Sequence, residues 1–285
     1  MFRWVAHHII YRVLNFNLTI RNRTPLRVGA GDKPSLISPI DNPVITIKRH
    51  GIEIPYIPGS SLKGVFRSEF EKMFRSLGLY VCERGEGCGR RYYRDLQKLI
   101  KRGDIHGVIK LLSEKYCMAC KVFGSSTFSS HVNISDFYPE GEYSLGARTG
   151  IAINRRSGSV RKGALYTIEY IEPGASFKGT ITLTNLPNYI VGAFTHIFEM
   201  ISIGIVRIGG MKSRGFGWVE MSVDSIDGQV YLRQGETPIT IGKSIVLLPP
   251  LDDDDYQVEI NPMDMNLTLN NFKEVWRKYA GTKKG

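Results

Sequence analysis

Pro55-Tyr-Ile-Pro-Gly-Ser-Ser-Leu-Lys-Gly-Val-Phe-Arg67 is the stretch on which the reading of this chain turns. Pro58-Gly59 is a turn signal, and Ser60 and Ser61 are residue types favoured at a helix N-cap. Behind them Leu62, Val65, Phe66, Phe70, Met73, Phe74 and Leu77 recur at helical spacing. That predicts a helix of about four turns with one apolar stripe in a core. Lys63 and Arg67 stand four apart on its polar side, where like charges cost an isolated helix a few tenths of a kcal/mol. An anion between them would remove that cost, and the first turn offers unpaired N–H groups and the positive end of the helix dipole. Gly59 and Gly64 add no side chain to hold a ligand's backbone away. Two readings fit: a phosphate cradle, or an ordinary amphipathic helix with two solvated cations. The Gly-x-x-x-x-Gly-Lys-Ser/Thr spacing of a nucleotide P-loop is absent.

At 285 residues the chain can bury a substantial core, and 42% hydrophobic with 23% charged residues is ordinary for a soluble globular protein. A formal net charge of +11 and a pI near 9.5 favour a polyanionic partner, nucleic acid or an acidic membrane surface. The apolar runs are too short to span a bilayer, and Met1-Phe-Arg-Trp-Val-Ala-His-His lacks the pattern of a signal peptide. The expectation is a cytoplasmic protein without a membrane partner, its cysteines reduced or bound to metal.

From Val13 the chain alternates strictly to Arg21, the mark of a half-buried strand. The loop Thr24-Pro-Leu-Arg-Val-Gly-Ala-Gly-Asp32 follows; Asp32 is either a turn residue or a catalytic carboxylate. Val44–Ile47 predicts a short strand leading toward the helix. Residues 78–122 hold Cys82, Cys88, Cys117 and Cys120, with helices expected over Tyr93–Ile100 and Ile105–Glu114. Cys117-x-x-Cys120 is a good grip on a tetrahedral ion, the Cys82/Cys88 spacing is looser, and His106 is available as a substitute ligand. Four thiolates would leave no open position, so a structural Zn²⁺ is the expected occupant.

Residues 131–138 alternate as a strand. Arg148 to Tyr166 forms two extended arms around a Ser157-Gly158 turn, a hairpin carrying Arg148, Arg155, Arg156, Arg161 and Lys162 with no acid before Glu169. It is a solvated protrusion or an arm on a phosphate backbone, and the global charge favours the second. Strands follow at Leu165–Ile171 and Ser176–Thr184, then a buried helix over 188–206. The loop Gly209-Gly-Met-Lys-Ser-Arg-Gly-Phe-Gly217 offers backbone amides with Lys212, Ser213 and Arg214, chemistry suited to phosphates, before a strand at Trp218–Ile226. The acidic run Asp252–Asp255 reads as solvated, and an amphipathic helix is expected over about Asn270–Tyr279.

Taken in order, these pieces resemble the RAMP superfamily of CRISPR proteins, in particular the repeated backbone subunit of type III effector complexes. The resemblance rests on Gly29-Ala-Gly-Asp32 with Asp41-Asn-Pro-Val, Ile57-Pro-Gly-Ser-Ser-Leu-Lys-Gly-Val-Phe-Arg67, Cys117-x-x-Cys-x-x-Phe-Gly124, the two arms of the hairpin, and the glycine-rich loop. It implies one α+β domain over residues 1–285. Its ferredoxin-like (RRM-like) βαββαβ core would take about 8–77, 123–147 and 164–228. A zinc-bearing insertion would occupy about 78–122, a thumb hairpin about 148–163, and a C-terminal extension 229–285.

The resemblance further implies copies polymerised head to tail along CRISPR guide RNA with other effector subunits. Ser60, Ser61, Lys63, Arg67, Lys212, Ser213 and Arg214 would hold guide phosphates, and the thumb would wedge the guide–target duplex. Asp32 falls where slicing members carry the Asp needed to cut bound single-stranded target RNA with Mg²⁺ or Mn²⁺. Two alternatives stay open: a scaffold that binds without cutting, and a guide-processing endoribonuclease using His7, His8 or His50.

Overall fold

Strand β1 (Arg12–Asn22) obeys the alternation that predicts it: Leu14, Phe16, Leu18 and Ile20 are buried on one face, while Asn15, Asn17 and Thr19 line the other. The computed structural model describes residues 3–29, 40–83, 87–231 and 237–283. An antiparallel pair, β2 (Thr46–Arg49) and β3 (Ile52–Pro55), leads into helix α1 (Gly59–Ser76). The cysteine segment then folds as α2 (Cys88–Arg91), α3 (Tyr93–Lys101), α4 (Ile105–Lys115) and α5 (Met118–Phe123). Asp104 starts α4 by accepting the Gly107 N–H at 2.8 Å.

Short strands β4 (Val132–Ile134) and β5 (Tyr138–Glu140) are followed by a long ribbon, β6 (Leu145–Ile153) with β7 (Val160–Ile171). Strand β8 (Ser176–Thr184), helix α6 (Asn188–Ser202) and strand β9 (Val219–Val230) complete the main body. Beyond them lie β10 (Ile239–Ile241), β11 (Val246–Leu248), β12 (Val258–Ile260) and α7 (Met265–Lys283).

The main sheet is antiparallel in the order β10-β9-β1-β8-β4, with β5 also pairing β8. The fold is therefore mixed α+β. One sheet face meets the helices through an aromatic core: Phe16 of β1 lies 5.9 Å from Phe198 and 6.5 Å from Phe272, and among the helices Phe66 lies 5.6 Å from both Phe194 and Phe198. Burying each such ring contributes about 2–3 kcal/mol. The opposite face is polar, with Asn15 and Asn17 amides donating to Asp227 and the hydroxyls of Thr182 and Thr180 donating back to them.

Several expectations change. The N-cap of α1 is Pro58, with Ser60 and Ser61 already inside the first turn; the Gly59 N–H donates to Asp136 at 2.8 Å, so a carboxylate from the β4–β5 turn does the capping. The strand expected over 131–138 breaks at that turn. Leu165–Ile171 is the end of β7, which runs on from Val160 and pairs with β6 rather than entering the main sheet.

The acidic run 252–255 is not simply solvated. Asp255 is buried and accepts the N–H groups of Asn188, Tyr189 and Leu251 at 3.0, 3.2 and 2.9 Å, capping α6. Asp252 accepts from Trp4 and the Tyr189 hydroxyl at 2.9 and 3.0 Å. A run of carboxylates reads as surface only until buried N–H groups need acceptors.

Candidate nucleic-acid interface and metal centre

The inner end of the β6–β7 ribbon is where the chain gathers its cations. Leu26 bridges to Ile171 and Asn42 to Ile168, tying the loop at 24–29 and the segment after residue 40 to β7. The Asp41 carboxylate accepts the Thr167 N–H at 2.7 Å. The glycine-rich loop closes the third side: the Gly210 N–H donates to Arg27 O at 2.8 Å and the Gly217 N–H to Pro25 O at 2.9 Å. Gly209 has φ +82°, and a Cβ there would stand 2.3 Å from Arg27 O, so only glycine lets the two loops meet.

Side chains cross the same junction. Arg214 donates to the Tyr166 hydroxyl at 2.9 Å, and the Arg148 guanidinium lies 5.4 Å from the Phe216 ring and 5.9 Å from that of Tyr170. Tyr170 and Phe216 meet edge to face at 5.5 Å. Lys212, Ser213 and Arg214 are exposed, as are Arg155 and Arg156 near the ribbon's turn. The result is a cationic junction whose arginines are braced by aromatic rings, Phe216 among them buried, with the chemistry to hold phosphates. The catalytic candidate Asp32 lies outside the described residues, as do the side chains of Arg161 and Lys162. Gly29 and Asp41, on either side of the segment that carries Asp32, both sit at this junction.

The α1 pair is placed differently. Lys63 donates to Val132 O at 3.0 Å, and burial with the nearby Arg67 charge lowers its pKa. Arg67 reaches Glu71 at 2.9 Å, Gly124 O at 3.1 Å and the Cys120 sulfur at 3.6 Å. Glu71 thus supplies the counter-charge that the spacing called for. Gly59 closes against β4, where a Cβ would meet Ile134 O at 2.2 Å; beside Gly64 the space is open.

Cys82, Cys88, Cys117 and Cys120 form one buried cluster with all sulfurs within 4.8 Å of one another. Cys82 lies 3.4 Å from Cys120 and 3.6 Å from Cys117. A tetrahedral ion with metal–sulfur bonds of about 2.3 Å needs sulfurs about 3.8 Å apart, so the donor set fits such an ion. The Cys117 N–H donates to the Cys88 sulfur at 3.3 Å. Hydrogen bonds from Cys120 and Cys88 push the Cys117 thiol down toward the thiolate, and its bond to Cys117 raises Cys88 to about 11. His106 is exposed on α4 and outside the cluster. Of the other histidines named above, His7 stacks on His131 at 4.0 Å and His50 occupies the tight β2–β3 turn with φ 49°.

Comparison with known sequences now bears on these sites. The family profile described as the RAMP superfamily matches residues 19–220. The chain belongs to the RAMP superfamily. A curated protein of Streptococcus thermophilus, described as "CRISPR system Cms endoribonuclease Csm3", is 43% identical over 61 residues, 21% of this chain and 27% of that protein. The match therefore spans only about a quarter of the relative's length. Among the described residues, no helix of this RAMP chain is long and apolar enough to cross a membrane.

Residues missed in the sequence complete the junction. Tyr166 and Tyr170 share one face of β7 because they are four apart on a strand, a signal present in the alternation. Arg27 donates to the Asn42 side chain at 3.3 Å, while among the described residues its buried Nε has no hydrogen-bond partner. A cation between buried Leu26 and Val28, just ahead of the glycines, was the only mark it left.

Proposed function

We propose that this RAMP chain is a guide-RNA-binding backbone subunit of a cytoplasmic type III CRISPR interference complex that cuts bound target RNA with a divalent ion. The observation that carries the reading is the shared junction: ribbon, glycine-rich loop and both described flanks of the Asp32 segment come together among Arg27, Arg148 and Arg214. The superfamily membership and the name of the Streptococcus thermophilus relative support it. The strand order β9-β1-β8-β4 is the one a ferredoxin-like core requires, with the β6–β7 ribbon as the thumb.

In this reading Lys63, Lys212, Ser213 and Arg214 hold guide phosphates, with Ser60 and Ser61 at the start of α1. Arg148, Arg155, Arg156, Arg161 and Lys162 follow the duplex along the ribbon. Asp32 provides the carboxylate for Mg²⁺ or Mn²⁺, which when bound withdraws charge from the scissile phosphate. The chain's own work is positional: cations fix the backbone, with Arg148 braced over the Tyr170 and Phe216 rings, so that the 2′-OH beside the scissile phosphate lies in line. Neighbouring copies and other effector subunits complete the groove, and Zn²⁺ in the cysteine cluster holds the insertion.

The test uses the complex assembled with guide, matched target RNA and Mg²⁺. Asp32→Ala is expected to abolish cutting with target affinity retained. Cutting at the full rate would remove the catalytic assignment. An intact target in the wild-type complex would instead make the chain a scaffold.

A further inference from the structure

Arg67 reads in the sequence as a guide-binding cation, yet its guanidinium faces the cysteine cluster. Its Nη2 lies 3.6 Å from the Cys120 sulfur, and its Nη1 donates at 3.1 Å to the carbonyl of Gly124, the residue that ends α5. Glu71 fixes the third donor, Nε, at 2.9 Å. Two turns along the same face, Arg75 reaches the Cys82 carbonyl at 3.5 Å and Glu71 at 3.6 Å. One polar row of α1, Arg67–Glu71–Arg75, therefore touches both halves of the ligand set.

We infer that Arg67 is a positioning residue of the metal centre, donating a charge-assisted hydrogen bond to the ligand sulfur of Cys120. The inference rests on the cluster being a metal centre. Four thiolates around a divalent ion carry a net charge of about −2, which a buried site must offset with donors and cations. The Cys117 N–H serves the Cys88 sulfur; Arg67 does the same for Cys120 and adds a full charge. Partners outside the ligand set typically change metal affinity 10–100-fold. The fork geometry matters, because one guanidinium grips the sulfur and the Gly124 carbonyl just past α5 at once, which a lysine ammonium cannot reproduce.

The experiment uses the full chain loaded with Zn²⁺, and separately with Co²⁺ as a spectroscopic probe, in chelator competition without RNA. Arg67→Met is expected to weaken Zn²⁺ binding 10–100-fold and to shift the cobalt thiolate charge-transfer band. Arg67→Lys should recover part of both, and Lys72→Met, an exposed change on the same helix, should alter neither. Wild-type affinity and an unchanged cobalt spectrum in Arg67→Met would overturn the inference. Should that variant fail to fold, a wild-type spectrum and affinity in Arg67→Lys would overturn it equally. A wild-type chain that takes up no more metal than Cys117→Ser/Cys120→Ser would overturn the metal centre itself, and Arg67's role with it. Retained metal with insensitivity to Arg67 overturns the role alone.

Discussion

Asp255→Asn replaces a buried charge with a neutral group of the same shape and tests whether the C-terminal segment is integral to the fold. The carboxylate carries three backbone N–H bonds and lies 4.0 Å from the guanidinium of Arg12, which is 1% exposed. Asparagine turns one acceptor oxygen into a donor, so at least one N–H at the start of α6 meets another donor. It also removes the charge facing Arg12, whose remaining acceptors are the carbonyls of Leu186 and Pro249. Burial lowers the Arg12 pKa to about 10 with Asp255 and then Asp252 opposing the fall, so the substitution removes the larger of the two charges that favour the buried guanidinium. Removing one partner of a buried pair costs about 3–5 kcal/mol. In a chain of this length each kcal/mol is about 2–3 °C, so Tm should fall by roughly 10 °C in calorimetry. Arg12→Met/Asp255→Asn should recover part of that loss, because no buried charge is then left alone. A fall of less than 1 °C, or a double variant showing the full sum of two large losses, would refute the argument.

Arg148→Ala and Arg214→Ala should each weaken single-stranded RNA binding and flatten the log–log salt slope by about 0.7, one phosphate contact apiece. An unchanged slope would mean that these cations serve only Phe216, Tyr170 and Tyr166. Burial, reinforced by the stacked His7, lowers the His131 pKa to about 4 despite the carbonyls of Val5 and Thr184 facing its ring nitrogens. The unfolded chain then takes the proton first, so stability is full above about pH 6.5 and falls by up to about 3 kcal/mol toward pH 4. His131→Gln should flatten that part of the pH profile in urea titrations, and an unaltered slope would assign it to other groups.

Legibility in the sequence followed the range of the interactions. Helix α1 was readable because Leu62, Phe66, Phe70 and Phe74 repeat at a local period, and β1 because its alternation is strict. The cysteine cluster was readable because thiols have few uses in one segment. What eluded the sequence was decided by distant partners. Asp255 caps a helix that begins 67 residues earlier, Asp136 caps one 77 residues earlier, and Arg67 reaches a sulfur 53 residues away. No local pattern separates such a residue from a solvated one, since each is an ordinary surface type until the chain closes around it.

That distinction bears on how the charge is used. A net charge of +11 spread evenly over the surface would make RNA binding diffuse, and a solvated acidic run would partly cancel it. Instead Asp255 faces buried Arg12, Asp252 serves Trp4 and Tyr189, and Asp254 pairs with Lys283 at 3.0 Å, all in the C-terminal body. The ribbon keeps its cations with no acid between Arg148 and Glu169, and Glu169 itself accepts the Val44 N–H at 3.0 Å. Among the described residues, the Asp41 and Glu169 carboxylates at the junction accept backbone N–H groups, and neither Arg148 nor Arg214 is held in an ion pair there. Counterion release on RNA binding should therefore be concentrated at the ribbon and glycine-rich loop. Charge reversals there should change the salt slope, whereas equal reversals at exposed lysines of α3 and α4 should leave it nearly unmoved.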